Sequence, residues 1–154
     1  MQMNEKEESM PVQVLLIEDN LGDVGLMREV LLGLNNSVQL LVASDGVEGI
    51  SLLRQQGTYV YAPRPDLILL DLNLPKMDGR EVLALIKSDE RLKTIPTVVL
   101  TTSEEEVDIA KSYQLQANCY LTKPVQLEGF EKLVKSISDF WLTKVKLPQH
   151  IQIA

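Results

Sequence analysis

The sequence is poor in cysteine, histidine and large aromatic residues. It contains one cysteine and one histidine among 154 residues, and phenylalanine, tryptophan and tyrosine together make up 5% of the chain. A single cysteine excludes an internal disulfide. We expect Cys119 to act as a small buried hydrophobe in a strand rather than as a redox group.

The sequence also lacks a long apolar run and an excess of positive charge. No stretch approaches the ~20 apolar residues that span a bilayer, and residues 1–10 are polar and acidic, unlike a signal peptide or an amphipathic anchor. The net charge of −7 argues against a nucleic-acid-binding surface, because phosphate backbones attract lysine and arginine. We therefore expect a cytoplasmic protein that binds neither membranes nor nucleic acid.

What is present is the composition of a globular domain, with 45% hydrophobic and 24% charged residues. A chain of this length can bury a core of its own. We expect one domain over 12–146, preceded by a flexible segment at 1–11 and followed by a tail at 147–154.

Apolar runs alternate with helical patterns along this domain. The capping-box pair Ser103 and Glu106 predicts that one of the helices begins at about 104. The alternation predicts an α/β fold, a doubly wound parallel sheet of five strands. The predicted strands are 12–17, 38–43, 67–70, 97–101 and 118–121, and the other helices are 21–34, 46–53, about 80–88 and a long last helix.

Polar side chains follow the buried runs of this predicted sheet. Glu18 and Asp19 follow the first strand, Asp71 the third, and Lys123 the fifth, while Thr101 ends the fourth. The carboxyl ends of parallel strands meet at one edge of a sheet, so these groups should converge. Three carboxylates, a hydroxyl and an ammonium suit a divalent cation and a phosphoryl group. Oxygen ligands without cysteine or histidine favour Mg²⁺.

Each of these residues also has a structural interpretation. Asp19 could cap the first helix, Thr101 could be an ordinary strand residue, and most lysines lie at the surface. Asp71 shifts the balance towards a site, because acids at two adjacent strand ends repel each other unless a cation lies between them. The Lys123–Pro124 bond is a candidate for a cis peptide, which would fix the direction of the lysine.

In combination, the motifs resemble the receiver domains of two-component response regulators over about residues 12–140. The residues that carry the resemblance are the acidic pair Glu18-Asp19, the segment Asp71-Leu-Asn-Leu-Pro-Lys-Met-Asp-Gly79, the hydroxyl of Thr101, the aromatic Tyr120, and Lys123-Pro124. Two positions depart slightly from the family pattern. Glu18 stands where aspartate is also common, and Thr102 stands where alanine or glycine is more usual, so Thr102 should narrow access to the phosphoryl group.

The resemblance implies a flavodoxin-like (β/α)5 receiver fold and a phosphorelay function. A histidine kinase would transfer a phosphoryl group to Asp71. Mg²⁺ would be held by the carboxylates of Asp19 and Asp71 and the backbone carbonyl of Asn73, with Glu18 acting through water. Such a protein catalyses its own phosphorylation and dephosphorylation and is not an enzyme acting on other substrates.

The same resemblance implies a switch. Lys123 would bind one phosphoryl oxygen and Thr101 would donate a hydrogen bond to another. Tyr120 would then rotate inward, and the surface of the fourth helix, fifth strand and last helix would change.

Further segments resemble one subgroup, the small regulators that serve phytochrome-type histidine kinases. These segments are 18–24, 64–71, 100–103, 140–143 and 146–148. With no output domain in the sequence, the signal would leave by protein contact. Phe140 and Trp141 extend the apolar stripe of the last helix beyond what a core needs, which predicts a homodimer through this face. The alternative is that Trp141 folds back over the core of the monomer.

Two other functions stay open from the sequence. A hydrolase of the haloacid dehalogenase type also uses an aspartate nucleophile with Mg²⁺, but there the nucleophile follows the first strand and not the third. The residue two positions after Asp71 is Asn73, which cannot serve as an acid. The other possibility is an inactive receiver that acts only as an interaction module.

Overall fold

The computed structural model describes residues 11–34 and 37–148. They form a five-stranded parallel sheet in the order β2-β1-β3-β4-β5, with helices in the crossover connections. The prediction of a doubly wound, flavodoxin-like α/β fold is confirmed. The elements are β1 (Val12–Ile17), α1 (Leu21–Leu34), β2 (Val38–Ala43), α2 (Gly46–Leu53), β3 (Leu67–Leu70), α3 (Gly79–Ser88), β4 (Thr97–Thr101), α4 (Glu106–Gln114), β5 (Cys119–Thr122) and α5 (Leu127–Trp141).

The sheet is buried on both faces, which explains why its central strands are apolar without alternation. Successive side chains of β1 point to opposite faces. Leu15 and Ile17 pack in a core cluster with residues of α2 and α3, and Val14 and Leu16 pack in a second cluster with residues of α1 and α5. Full burial of side chains of this size is worth about 1.5–3 kcal/mol each.

The register of the strands brings the predicted site residues to one edge. Ile17 of β1 pairs with Leu70 of β3, and the Asp71 amide donates to the Ile17 carbonyl at 3.1 Å. On the other side of β3, Thr101 of β4 pairs with Thr122 of β5. The residues that follow these strand ends are therefore neighbours.

The capping box predicted at Ser103 and Glu106 is wrong. Helix α4 begins at Glu106 with Glu105 at its N-cap position, and no side chain caps it. Ser103 lies two residues too early to cap. Its hydroxyl donates to Asp108 Oδ2 at 2.5 Å and accepts from the Glu105 amide at 3.2 Å, so it is engaged elsewhere.

Two smaller predictions near β5 also need correction. The strand covers Cys119–Thr122 instead of 118–121, because the Asn118 side chain turns back to accept from the Thr97 amide at 2.8 Å. Among residues 11–34 and 37–148 no peptide bond is cis, so the Lys123–Pro124 bond is trans.

The last helix ends at Trp141. Phe140 is 54% exposed, whereas Trp141 is half-buried and packs against the second core cluster. The two rings meet edge to face at 5.7 Å. Cys119 is a partly buried free thiol, and burial raises its pKa, which agrees with a structural role.

The helices in the described part of the chain are all too short or too polar to cross a membrane. Residues 1–10 of the predicted flexible segment at 1–11, and residues 149–154 of the predicted tail at 147–154, lie outside the described residues, as do residues 35 and 36.

Candidate functional site

Three carboxylates meet at the carboxyl edge of the sheet. Glu18, Asp19 and Asp71 each place one oxygen within 4.8 Å of the others. Glu18 is 2% exposed and Asp71 is 7% exposed, while Asp19 faces solvent. These donors are all hard oxygen atoms, and a pocket with one open side suits a small divalent cation that keeps several of its waters.

Lys123 supplies the one positive charge of this pocket among the described residues. Its Nζ donates to Glu18 Oε1 at 2.5 Å, to Asp23 Oδ2 at 2.9 Å and to Asp71 Oδ2 at 3.4 Å. Burial of the ammonium lowers the pKa of Lys123, but the hydrogen bonds to Glu18 and Asp23 and the charge of Asp71 outweigh it, so the pKa is raised. Lys123 is therefore a permanent cation.

For Glu18, in contrast, the effect of burial on the pKa prevails over that of the hydrogen bond from Lys123. Burial raises the pKa of its carboxyl, the hydrogen bond from Lys123 lowers it, and the nearby charge of Asp71 raises it again, for a pKa of about 7. One ammonium is thus insufficient to neutralise the carboxylates around it. A divalent cation would remove this surplus of negative charge.

The loop after β3 shapes the pocket around Asp71. The Asn73 amide donates to Asp71 Oδ1 at 3.2 Å, which holds the carboxylate against its own loop. At Gly79, a Cβ atom would lie 2.3 Å from the Asp71 carbonyl oxygen and 2.5 Å from the Leu72 Cα. Only glycine lets α3 begin so close to the end of β3, which is a physical reason for glycine in this motif.

Thr101 and Tyr120 lie on the neighbouring strands. Thr101 is fully buried, and its Oγ1 has no hydrogen-bond partner among the described residues. A buried hydroxyl without a partner is uncommon and fits a group that receives its partner from a ligand. Tyr120 is half-buried, and its hydroxyl donates to the Ser103 carbonyl at 3.0 Å. It therefore contacts the loop after β4 rather than the carboxylates.

One member of the pocket escaped the sequence analysis. Asp23 lies in the first turn of α1, where an acid is ordinarily explained by the helix dipole. The side chain of Asn20 caps this helix by accepting from the Asp23 amide at 3.0 Å. Asp23 therefore lies about one helical turn after Asp19. This spacing is the only sequence signal that could have identified Asp23 as a member of the pocket.

The two residues predicted at an interface are not part of this pocket. Phe140 and Trp141 are at the far end of α5, and together with Cys119, Leu121 and Leu133 they line an apolar depression of about 180 Å³. Its lining contains no carboxylate, and it does not extend the pocket formed by Glu18, Asp19 and Asp71.

Comparison with known proteins gives one family. The model of the response regulator receiver domain matches residues 14–136. The response regulator Rcp1 of Synechocystis sp. is 51% identical over 142 residues, which cover 92% of this chain and 97% of that protein.

Solved structures give the same result. The phosphorylated cyanobacterial phytochrome response regulator RcpA superposes with a TM-score of 0.87 at 51% identity, covering 90% of this chain and 99% of that one. The Mn²⁺-bound form of Rcp1 has the same TM-score, identity and coverage.

Proposed function

The chain belongs to the response regulator receiver domain family, and we propose that it accepts a phosphoryl group from a histidine kinase on Asp71. The observation that carries this proposal is the position of Asp71, a buried carboxylate that lies between Lys123 and the acidic pair Glu18-Asp19 after β1. The description of RcpA as a phytochrome response regulator supports a kinase of the phytochrome type as the donor.

The transfer itself is a displacement at phosphorus. A carboxylate oxygen of Asp71 attacks the phosphorus of a phosphohistidine, a P–O bond forms as the P–N bond breaks, and the electron pair of that bond leaves with the imidazole nitrogen. The ring leaves neutral when its other nitrogen carries a proton. Such a reaction depends on positioning and charge stabilisation more than on covalent help.

The surrounding residues supply that stabilisation. Lys123, which already contacts Asp71, balances the charge on one phosphoryl oxygen. Thr101 donates its unpartnered hydroxyl to another. Asp19, Asp71 and the Asn73 carbonyl would hold Mg²⁺, with Glu18 acting through water. The ion would neutralise phosphoryl oxygens and orient them for attack.

The surface around the pocket supports a protein as the phosphodonor. Three large apolar side chains close to the site in sequence are strongly exposed, namely Leu21 at 81%, Val125 at 98% and Leu127 at 65%. Val125 and Leu127 line a surface depression together with Asp23, and exposed apolar side chains beside a polar site are typical of a protein contact surface. A small-molecule donor would need no such rim.

The switch follows from the same groups. When Thr101 bonds to the phosphoryl oxygen, the loop after β4 is drawn towards Asp71. Tyr120, whose hydroxyl is bonded to that loop at Ser103, must respond to the movement. The outer surface of α4, β5 and α5 then carries the signal to the next protein.

A homodimer through the end of α5 stays part of this proposal. Its support is now Phe140, which is exposed, more than Trp141, which packs largely against its own core. The arrangement of Trp141 thus agrees with the alternative of a lid on the monomer, and Phe140 remains as the aromatic that a partner would cover.

The test is intact-mass measurement after incubation with Mg²⁺ and acetyl phosphate. We expect the wild type to gain one phosphoryl group and Asp71→Asn to gain none, because an amide is not a nucleophile here. Asp45→Asn is the matched control. Asp45 follows β2 at the same edge and caps α2, and asparagine caps equally well, so this variant should be labelled like the wild type.

Other outcomes identify the alternatives. Labelling of Asp71→Asn at the wild-type rate would place the phosphoryl group on another residue. A folded wild type that takes up no phosphoryl group from acetyl phosphate or from a kinase would identify an inactive receiver. Hydrolysis of a separate phosphate monoester over many turnovers would instead support an aspartyl-phosphate hydrolase, because a receiver dephosphorylates only itself.

A further inference from the structure

A polar network lies beside the pocket and joins α3 to α4. Arg80 in the first turn of α3 donates through Nη2 to Asp108 Oδ1 at 2.5 Å, and through Nη1 to Asp78 Oδ1 at 3.1 Å. The second oxygen of Asp108 accepts from Ser103 Oγ at 2.5 Å. Both carboxylate oxygens of Asp108 are therefore engaged, one by another helix and one by the loop after β4.

Ser103 is the point where this network meets the switch. Its hydroxyl is held by Asp108 and by the Glu105 amide, and its carbonyl accepts from the Tyr120 hydroxyl at 3.0 Å. Three groups from three parts of the chain thus fix one residue of the loop. Ser103 is two residues after Thr101, so the chain between them has little freedom once both ends are held.

The other end of this short segment is also held. The Lys123 amide donates to the Thr101 carbonyl at 2.7 Å, and the Thr101 side chain is fully buried. The position of the unpartnered Thr101 hydroxyl therefore depends on where Ser103 is anchored. Without Asp108, the hydrogen bonds that Ser103 keeps are those from the Glu105 amide of its own loop and from the Tyr120 hydroxyl.

Helix α4 has little apolar packing that could replace the network. Of its nine residues, all of them described, Ser112 is the only one that is buried. Val107 is 76% exposed and Tyr113 is 50% exposed. With so small a buried surface, the helix depends more on its polar contacts, and one of these is the ion pair Arg80–Asp108. The pKa of Asp108 is lowered by the Ser103 hydroxyl and by Arg80, so the carboxylate stays charged.

We propose that Asp108 is a positioning residue for phosphoryl transfer. Its carboxylate, which is also bonded to Arg80, holds Ser103 against α4. This contact places the Thr101 hydroxyl where it can donate to a phosphoryl oxygen. The inference rests on the proposed function of Asp71. Asp108 does not touch the phosphoryl group, and it acts through Ser103 and Thr101. A preorganised donor costs no rearrangement at the moment of transfer.

The experiment is a double-mutant cycle between Asp108 and Thr101. The rate of phosphorylation by acetyl phosphate is measured for the wild type, Asp108→Ala, Thr101→Ala and the double variant. We expect Asp108→Ala to be phosphorylated roughly 3- to 10-fold more slowly than the wild type, which is the effect of losing one well-placed hydrogen bond. In the Thr101→Ala background the same change should have almost no effect, because the hydroxyl it positions is gone.

Two further measurements distinguish positioning from general damage. The Mg²⁺ concentration for half-maximal rate should be unchanged in Asp108→Ala, since the metal-binding pocket is untouched. Asp108→Glu should recover part of the rate, and Ser103→Ala should reproduce part of the loss. Glu106→Gln, in the same turn of α4 and exposed, is the matched control and should behave as the wild type.

Several outcomes would overturn the inference. Equal slowing by Asp108→Ala in both backgrounds would show an effect that does not pass through Thr101, and wild-type rates in folded Asp108→Ala or Asp108→Asn would show no effect. If Asp108→Ala fails to fold, the cycle is run with Asp108→Asn and Ser103→Ala. A wild type that is never phosphorylated contradicts the proposed function itself, whereas a normal wild type with no coupling contradicts only the role of Asp108.

Discussion

Two lysines at opposite ends of the sheet have different environments. At the amino end, Lys87 Nζ donates to the carbonyls of Lys93 and Ile95, both at 3.0 Å, and to Asn118 Oδ1 at 3.1 Å. At the carboxyl end, Lys123 Nζ contacts three carboxylates. The amino-end lysine has neutral partners and the carboxyl-end lysine has charged ones.

The pKa shifts of the two lysines run in opposite directions for this reason. Burial lowers the pKa of Lys87, because neutral carbonyls do not fully replace water around an ammonium. Burial also acts on Lys123, but its carboxylate partners reverse the shift. The hydrogen bonds of Lys87 connect the segments that precede β4 and β5. They are all formed in the folded protein, so the role of Lys87 is structural.

The carboxyl end carries charges that do not balance. Over the described parts of the chain, four carboxylates surround Lys123, and Thr101 Oγ1 is buried without a hydrogen-bond partner. Folding alone does not explain such a surplus, since burying like charges together is unfavourable. The two ends therefore differ in where unfavourable interactions remain after folding. At the carboxyl end a cation would offset the surplus of carboxylates, and a phosphoryl oxygen would give the Thr101 hydroxyl a hydrogen-bond partner.

The largest expected effect comes from removing a carboxylate from the charged end. Asp19→Asn should weaken Mg²⁺ binding roughly 10- to 100-fold, a range seen even when partners of metal ligands are lost. Phosphorylation at low Mg²⁺ should slow accordingly, and high Mg²⁺ should largely restore it by mass action. The measurement is the rate of acetyl phosphate labelling as a function of Mg²⁺ concentration, and identical curves for the variant and the wild type would exclude Asp19 as a ligand.

The sequence was sufficient to predict the fold and the centre of this charged end. Asp71 and Lys123 could be placed because each follows a buried strand closely, and parallel strands bring such positions together. The bounds of β1, α1, β2 and β3 followed from their apolar patterns for the same reason, since packing against a buried sheet dictates those patterns.

The side-chain contacts between separate helices and loops could not be predicted in this way. Asp23 looks like an ordinary first-turn acid, and nothing local shows that its side chain reaches Lys123, 100 residues away. Ser103 matched a capping pattern, yet its hydroxyl bonds to Asp108 because Arg80 of α3 holds that carboxylate in place. Side-chain direction across two helices depends on the packed fold, which a one-dimensional pattern does not contain.

A smaller effect, on stability, is expected when protonation of Glu18 rather than a bound ligand reduces the surplus of negative charge in the pocket. The ordinary pKa of a glutamate near 4.5 becomes about 7 for Glu18 in the folded protein, so the folded state binds more protons than the unfolded state between these values. The stability that Glu18 contributes is present below pH 4.5 and is lost as the pH rises through about 7. Without metal, the free energy of unfolding should therefore fall over this window.

The variant Glu18→Gln should remove this dependence, because glutamine does not titrate. Denaturant unfolding with a chelator at pH 5 and pH 8 measures it for both proteins, and Glu18→Gln should lose less stability than the wild type between the two. Added Mg²⁺ should recover the wild type at pH 8, because the ion would bind the folded state. Parallel behaviour of the two proteins in the chelator would show that Glu18 does not titrate in this range.

The smallest effect on phosphorylation should come from the lysine at the amino end, although stability should suffer. Lys87→Met keeps the aliphatic stem and removes three hydrogen bonds to neutral acceptors, which we expect to cost about 1–3 kcal/mol of the free energy of unfolding. No carboxylate of the pocket contacts Lys87, so the phosphorylation rate and its Mg²⁺ dependence should match the wild type at a temperature where the variant is folded. Both are measured on one preparation, by denaturant unfolding and acetyl phosphate labelling. A variant that keeps full stability but is phosphorylated several-fold more slowly would contradict the comparison, because the amino end would then act on the site rather than on the fold.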